Sequence, residues 1–570
     1  MAVLKKIWGS KLWIVMVLAF LLLINWAASL YHTRADLTNE KRFTLSEPTK
    51  KLLKKIDGQV SIDVFLKGDF PSGFKKLSAS SSDILKEFKE IAGSSLTYQF
   101  ISPDDVVAGT SEKWGDTLSA EGLIPINLTS QVKEGQQQQF VYPYALVHYQ
   151  GQIIPVVLYQ GKTAIINFQE LNSAEAMLEF NFADAIAKAI QKQKPIVGYA
   201  IGNGEPSPGE YRAYDLFENV LRPNYRLFTF NPNTQPLIPD EFKVLMVVKP
   251  TEGFTDEAKF KLDQYVMNGG KLLLFIDKLN AEMDSLQIKN EVIAYDRNLQ
   301  LSDLLFKYGV RINPDLVMDL QCDYLPFDVN GNGQFDFLPW NYFPVFESKS
   351  NNPINKNLGF VAGKFVNSID TVEADGIEKT ILLSSSANAR RIGTPALISG
   401  KENVNAPEDA KFKTPNIPVA VLLQGKFTSL FANRLSQSMN DTLQKYQASF
   451  MPQCLAPNKL IVVADGDMVL NAVVKGNQPL PMGMNQYTFG SRYEIPFANK
   501  QFLQNCLDYL INENNLSDAK SKDYVLRLLN AVKVKEEKTT WQLINIVAPV
   551  LLVIIFAFIF QWWRKRKYAH

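Results

Sequence analysis

The sequence predicts an α/β protein in which two transmembrane helices flank a large exterior region of tandem α/β domains. Three observations lead there. Two uncharged apolar runs, residues 12–30 and 543–560, are long enough to cross a bilayer, which takes about 20 residues and at least about 17. Between them, short apolar runs of strand length alternate with stretches of helical period. The chain has 570 residues, more than one core usually organises.

The two runs carry aromatic residues where interfacial anchors belong. Trp8, Trp13 and Tyr31 surround the first; Trp541, Trp562 and Trp563 surround the second. Lys5, Lys6 and Lys11 precede the first run, and Arg564, Lys565, Arg566 and Lys567 follow the second. The positive-inside bias then places both termini in the cytosol and residues 31–542 outside it. This is a two-pass topology in a bacterial inner membrane, with the large region in the periplasm. A cleaved signal peptide is the competing account of the first run. Ala27, Ala28 and Ser29 permit cleavage, although signal cores usually span only about 7–15 residues.

Domains follow from the same pass. Residues 1–11 form a cytosolic tail, 12–30 the first span and 31–44 a juxtamembrane segment. A first α/β domain covers 45–193. A second covers 194–520 and carries an irregular insertion at about 310–415, rich in Asn, Pro and aromatics. A polar connector at 521–542 leads to the second span at 543–563 and a basic tail at 564–570.

In the first domain, Ser46 can cap a short helix that tolerates Pro48 in its first turn. Strands are expected at 59–66, 96–101, 140–149 and 152–159, with a helix at 77–91. A second helix at 172–192 has apolar positions 171, 174, 178, 182, 185 and 189 at a 3.6-residue period. In the second domain, strands are expected at 196–201, 226–230, 243–248, 271–277, 418–424 and 460–464. Helices are expected near 211–221, 256–268 and 499–512. Gly269 and Gly270 end the second of these helices. Strand, helix and strand in this order predict a mostly parallel, flavodoxin/Rossmann-like sheet covered on both faces.

Four stretches then resemble a known family. They are Arg34-Ala-Asp-Leu-Thr-Asn-Glu-Lys-Arg-Phe-Thr-Leu-Ser46, Tyr199-Ala-Ile-Gly-Asn-Gly-Glu205, residues 262–277, and Val462-Val-Ala-Asp-Gly-Asp467 followed by 499–510. With the terminal spans, this pattern resembles the GldG family, gliding-motility-associated auxiliary subunits of Bacteroidetes ABC transporters, often labelled substrate-binding. The resemblance implies a polytopic permease partner similar to GldF, a cytosolic ATPase partner similar to GldA, and a role in gliding motility and type IX secretion. Asn203 stands where the family often has His, which weakens a catalytic role for that loop.

Residues that could carry chemistry are few. Gly161-Lys162-Thr163 lacks the leading glycine of a phosphate loop, because position 156 is Val; ATP hydrolysis is expected in a partner subunit. No cofactor is implied. Once the basic tails are set aside, the remainder of a chain with net charge +2 is acidic and shows no nucleic-acid footprint. The loops containing Gly202, Asn203, Gly204 and Glu205, together with Asp277 and Asp465, end expected strands. They form the candidate ligand or partner cleft, since open α/β sheets bind ligands at strand carboxyl ends. Turn and capping chemistry explains the same residues without a ligand. Asp328, Asn330 and Asn332 resemble the start of a calcium loop, but its twelfth position is Pro339, so no metal is assigned. The segment 335–346 with Trp340 and Tyr342 reads as core, or as a partner surface if exposed. His148 is the one histidine well inside the exterior region, and Gly-x-Ser-x-Gly is absent. A non-catalytic ABC transporter subunit is therefore expected. A periplasmic substrate-binding module is the alternative, and a remote hydrolase or amidotransferase-like enzyme is the third reading. Three cysteines, Cys322, Cys454 and Cys506, make no disulfide framework.

Overall fold

The structure, a computed structural model, describes residues 18–25, 44–512 and 531–568, apart from 124, 133–134, 160–167, 192, 284, 287–290, 331, 348–349, 357 and 400–408. The chain forms two compact units, Met1–Lys522 and Asp523–His570.

Ser46 caps α1 (Glu47–Leu53) by accepting the Thr49 N–H at 3.4 Å. There follow β1 (Val60–Val64), α2 (Ser72–Ala92), β2 (Leu96–Phe100), α3 (Trp114–Ala120), β3 (Ile126–Val132), β4 (Gly135–Val141), β5 (Tyr144–Tyr149), β6 (Gln152–Val157) and α4 (Phe168–Ile190). The four-stranded sheet runs β2-β1-β5-β6, with β1 and β2 parallel. Val60, Ile62 and Val64 alternate onto one face, where Phe74, Leu85 and Phe88 of α2 and Leu178, Phe182 and Ile186 of α4 join them in one core. The expected strand at 140–149 is two strands. Pro143 has no N–H to give a ladder, so the chain breaks there and β4 pairs back onto β3 instead.

The second sheet starts with β7 (Ile196–Ala200), β8 (Arg226–Phe230) and β9 (Phe242–Val248). Helix α5 (Asp256–Met267) leads to β10 (Lys271–Phe275). Thr255 caps α5 by accepting the Ala258 N–H. Between β7 and β8, the expected helix is a π-helical segment, Asp215–Leu221.

A long antiparallel excursion follows. It comprises β11 (Leu279–Asn280), β12 (Glu291–Asp296), α6 (Ser302–Tyr308), β13 (Val310–Ile312), β14 (Asp315–Asp319), β15 (Cys322–Phe327), β16 (Asp336–Phe346), β17 (Val361–Ala362), β18 (Ile369–Thr371), β19 (Ile377–Ser384), β20 (Ala389–Gly393) and β21 (Ala396–Ser399). Its strands pair in short antiparallel sets around Trp340, Tyr342 and Phe343, all buried. Phe335, in the same aromatic segment, is exposed. The chain returns through β22 (Pro418–Gly425), α7 (Gln437–Lys445), β23 (Asn458–Val463) and α8 (Asn499–Ile511).

The seven-stranded order is β19-β22-β23-β10-β9-β7-β8. The five strands from β23 to β8 are parallel, β22 runs antiparallel to β23, and β19 runs antiparallel to β22. Numbered along the chain, the parallel five lie in the order 2-1-3-4-5. One face, with Val244, Met246 and Val248, packs under α8 and residues 213–225. The other, with Leu245 and Val247, packs under α5 and α6. Both faces of β7, β9, β10 and β23 are dry over most of their length, which is why these strands read as nearly continuous apolar runs.

The second unit is helix α9 (Ala531–Tyr568); within its stretch 537–566 an 18-residue window has mean hydropathy 3.0 and is unburied. Among the described residues it is the one helix long and apolar enough to cross a membrane. Of the first apolar run only residues 18–25 are described; they are helical and exposed. Gly161, Lys162 and Thr163 lie outside the described residues. All three cysteines are free thiols.

A Cβ at Gly198 in β7 would overlap the Phe242 ring. Gly198→Ala is therefore expected to lower stability by about 1–3 kcal/mol, the range for an overpacked core, read as a lower chemical denaturation midpoint in mild detergent.

Candidate functional site

Because β7, β9, β10 and β23 are parallel, the loops after them open at one edge of the sheet. The loop after β7 closes on itself. Gly202 and Gly204 have φ of +107° and +79°, a region that L side chains avoid. A Cβ at Gly204 would also overlap Thr251 Oγ1. Asn203 is buried, and each of its polar groups is engaged. Its N–H donates to Glu205 Oε2 (2.7 Å), and its carbonyl accepts the N–H groups of Thr251 (2.8 Å) and Glu252 (2.9 Å). Its amide nitrogen donates to the Gly253 carbonyl, and its amide oxygen accepts from Asn233. Glu205 is also buried, but its Oε1 has no hydrogen-bond partner. Burial pushes this carboxyl above its ordinary value, against the opposing pull of the Asn203 N–H.

The loops after β9, β10 and β23 meet around one ammonium. Lys249, 2% exposed, follows β9 with φ +47°. Its Nζ lies 2.6 Å from Asp467 Oδ2, 3.2 Å from Glu282 Oε2 and 3.3 Å from Asp277 Oδ2. Arg297 holds the other oxygen of Glu282 at 2.5 Å. Asp277 Oδ1 accepts the Gly466 N–H at 2.5 Å. Asp465 is fully buried and accepts three backbone N–H groups, from Asp467, Met468 and Lys364. A Cβ at Gly466 would come within 2.6 Å of Lys249 Cβ, so the Asp-Gly-Asp turn needs its glycine to admit the lysine.

The charges divide by neighbour. Burial drives the Lys249 ammonium down, but Asp467, Asp277 and Glu282 outweigh it and hold the group well above the usual lysine value. Burial raises Asp467, yet Lys249 and Lys364 hold it below the carboxylate range. Burial raises Asp277 against the pull of Lys249. Asp465 is pushed well above the ordinary carboxylate value by burial, then by Asp277 and Asp467. The arrangement clamps loops and shares charge. Among the described residues on the β7 side, Glu205 Oε1 is a buried side-chain atom without a hydrogen-bond partner.

The residues singled out from sequence thus fall into two groups, Gly202 to Glu205 and Asp277 with Asp465. They meet through the loop after β9, which hydrogen-bonds Asn203 at Thr251 and reaches the aspartates through Lys249. Lys249, Glu282, Arg297 and Asp467 were missed. The available signal was a lone lysine directly after the apolar run Val244-Leu-Met-Val-Val248.

The other candidates lie elsewhere. Asp328 spends both carboxylate oxygens on the N–H groups of Asn332 and Gly333, while Asn332 accepts from the Gln334 N–H; Asn330 is exposed. His148 belongs to the N-terminal sheet, with its Nε2 3.0 Å from Asp63 Oδ2. A surface cleft of about 410 Å³ lies at the end of β19, lined by Leu320, Gln321, Glu347, Ser385, Ser386 and Asn388.

Residues 194–506, over half of the chain, match the family model described as an ABC-type uncharacterized transport system. Residues 39–148 match a domain of unknown function, DUF7088. No curated protein matches significantly. Similar solved structures include the mmIFT52 N-terminal domain, at 14% identity and TM-score 0.30, covering 55% of this chain and 96% of that one. A ThuA-like protein from Parabacteroides merdae is 8% identical with TM-score 0.25, covering 60% and 94%. The exo-β-1,4-mannosidase Op5Man5 from Opitutaceae bacterium strain TAV5 is 11% identical with TM-score 0.20, covering 68% and 45%.

Lys249→Met removes the cation and leaves its carboxylates buried, a change expected to cost about 3–5 kcal/mol, measured by denaturation at neutral pH. Glu205 behaves differently. Its folded pKa lies above the unfolded value of about 4.3, so its effect on stability is most favourable below that pH and worsens as pH rises through the folded value. Glu205→Gln should therefore be more stable than the parent at pH 7, with the difference vanishing below about pH 4, as read from thermal midpoints across that range.

Proposed function

The chain belongs to the family of auxiliary components of ABC-type transport systems, and from that premise we propose that it is a non-catalytic, membrane-tethered subunit of such a transporter. Family membership implies permease and ATPase components as partners. The observation that carries the proposal is the match over residues 194–506 in a chain that also holds the unburied apolar helix α9.

The finer reading adds the first apolar run as a second span, places both termini in the cytosol, and sets residues 31–542 in the periplasm. The four GldG-like stretches support partners similar to GldF and GldA and a role in gliding motility and type IX secretion. In this reading the flavodoxin-like sheet is a rigid platform. Gly202, Asn203, Gly204, Glu205, Asp277 and Asp465 hold its carboxyl edge in shape for a partner. That edge is stiff because its carboxylates are bound to backbone N–H groups and to Lys249.

A second reading, a substrate-binding module, rests on Glu205 Oε1, a buried polar atom without a partner at this edge. The Asn203→Ala, Glu205→Ala double variant separates the two. A platform that merely needs the loop folded loses stability and function together. A ligand site loses function while the complex stays assembled.

The membrane complex is tested by affinity purification of the full chain in mild detergent, followed by mass spectrometry. Recovery of a permease and an ATPase is expected, and deletion of residues 537–566 should abolish it. Failure to recover either partner from the intact chain would overturn the proposal.

A further inference from the structure

Four Asn-Gly pairs occur in the chain: Asn203-Gly204, Asn268-Gly269, Asn330-Gly331 and Asn332-Gly333. Such a pair can react with itself, because a glycine has no side chain to shield its backbone nitrogen from the asparagine beside it. Attack of that nitrogen on the side-chain amide carbon closes a five-membered imide and expels ammonia. Gly331 lies outside the described residues. The other three pairs are held in different ways.

Asn203 is buried, and its amide nitrogen donates to the Gly253 carbonyl. Asn268 follows α5 and is exposed, but its amide nitrogen donates to the Gln264 carbonyl at 2.8 Å. The Gly269 N–H donates to the Val266 carbonyl at 3.0 Å, and a peptide carbonyl is too weak a base to take that proton. Asn332, exposed in the turn between β15 and β16, differs on each count. The Gly333 N–H donates to Asp328 Oδ2 at 3.0 Å, so the attacking nitrogen already faces a carboxylate. The Asn332 N–H donates to Asp328 Oδ1 at 3.1 Å, which fixes that carboxylate in place. The Asn332 amide oxygen accepts the Gln334 N–H at 2.9 Å. This local turn folds the side chain back over the Gly333 peptide and polarises the amide carbon. The Asn332 amide nitrogen, which has to leave, makes no hydrogen bond among the described residues. A Cβ at Gly333 would meet no atom within 4 Å, so water reaches the pair freely.

We propose that Asn332 is a self-modification site, at which the folded turn catalyses conversion of this asparagine to aspartate and isoaspartate. Asp328 takes the proton from the Gly333 nitrogen as that nitrogen bonds to the Asn332 amide carbon. The Gln334 N–H holds the charge that develops on the amide oxygen, in the manner of an oxyanion donor. Asp328 then hands the proton to the departing nitrogen, the bond to it breaks, and ammonia leaves. Water opens the imide at either carbonyl. One opening gives aspartate. The other gives isoaspartate, which routes the backbone through the side chain and lengthens the turn by one carbon. Either product sets a new carboxylate beside Asp328. The proposal is independent of the transporter reading.

The test is incubation of the full chain in mild detergent at neutral pH, with a synthetic peptide of residues 324–340 as the unstructured reference. Tandem mass spectrometry locates the converted residue, and enzymatic methylation counts isoaspartate. Asn332 should convert faster than Asn268 in the same sample. A positioned base supplies about 100-fold, and stiffness of the turn gives part of that back, so the folded chain should outpace the peptide by about tenfold. Asp328→Asn should slow conversion of the folded chain by about 100-fold, with Asn268 unchanged as the internal standard. Conversion no faster in the folded chain than in the peptide overturns the inference, because the pair would then react only as its sequence dictates. This comparison uses the parent chain and holds even if Asp328→Asn disrupts the turn. Conversion confined to Asn330, or an Asp328→Asn chain that converts at the parent rate, overturns it as well.

Discussion

An ammonium taken out of water has to be surrounded by carboxylates, and Lys249 imposes that demand on the middle of the seven-stranded sheet. The acids that meet it come from distant parts of the chain. Asp277 follows β10, Glu282 begins the antiparallel excursion, and Asp467 follows β23. The positive φ of Lys249 directs the side chain into this group, at a local cost of about 1–3 kcal/mol that the ion pairs must offset. Gly466 leaves room for its stem. The residues between β10 and β23 are thus tied at both ends to one point of the sheet.

Asp263 plays a comparable part on the α5 face. It is fully buried in α5 and accepts from Tyr308 Oη (2.9 Å), Ser429 Oγ (2.6 Å) and Leu430 N–H (2.9 Å). Burial raises its pKa, and these donors act against that. A carboxylate with its acceptor sites filled by hydroxyl and amide donors can stay buried without a cation. The excursion is therefore anchored to the sheet by two polar contacts of different kinds, over and above its own aromatic core around Trp340.

These anchors bear on function. Polar groups committed to one another resist movement, because every displacement would strand a buried charge. The carboxyl edge of the sheet, where other α/β proteins hold ligands, is here occupied largely by its own hydrogen bonds. Such an edge suits a subunit whose part is to hold a shape beside transporter partners. Glu205 departs from this pattern, with one oxygen engaged and one not.

The sequence by itself determined what depends on local pattern. Apolar runs foretold the strands at 196–200, 242–248 and 271–275, because a strand dry on both faces has few polar positions to show. The capping residue Ser46 and the glycines after α5 marked helix ends for the same local reason. The turns around Gly202 and Asp465 were legible as turns. What the tertiary structure alone decided is which of these residues meet. Nothing in the local sequence sets Lys249 apart from an ordinary charge after a strand, or Asp467 and Glu282 from solvated acids. Their pairing depends on strand order, and strand order is set by packing among segments far apart in the chain, as Lys249 and Asp467 are. The π-helical turn at Asp215–Leu221 follows the same rule: it is a local choice settled by what the finished sheet would accept.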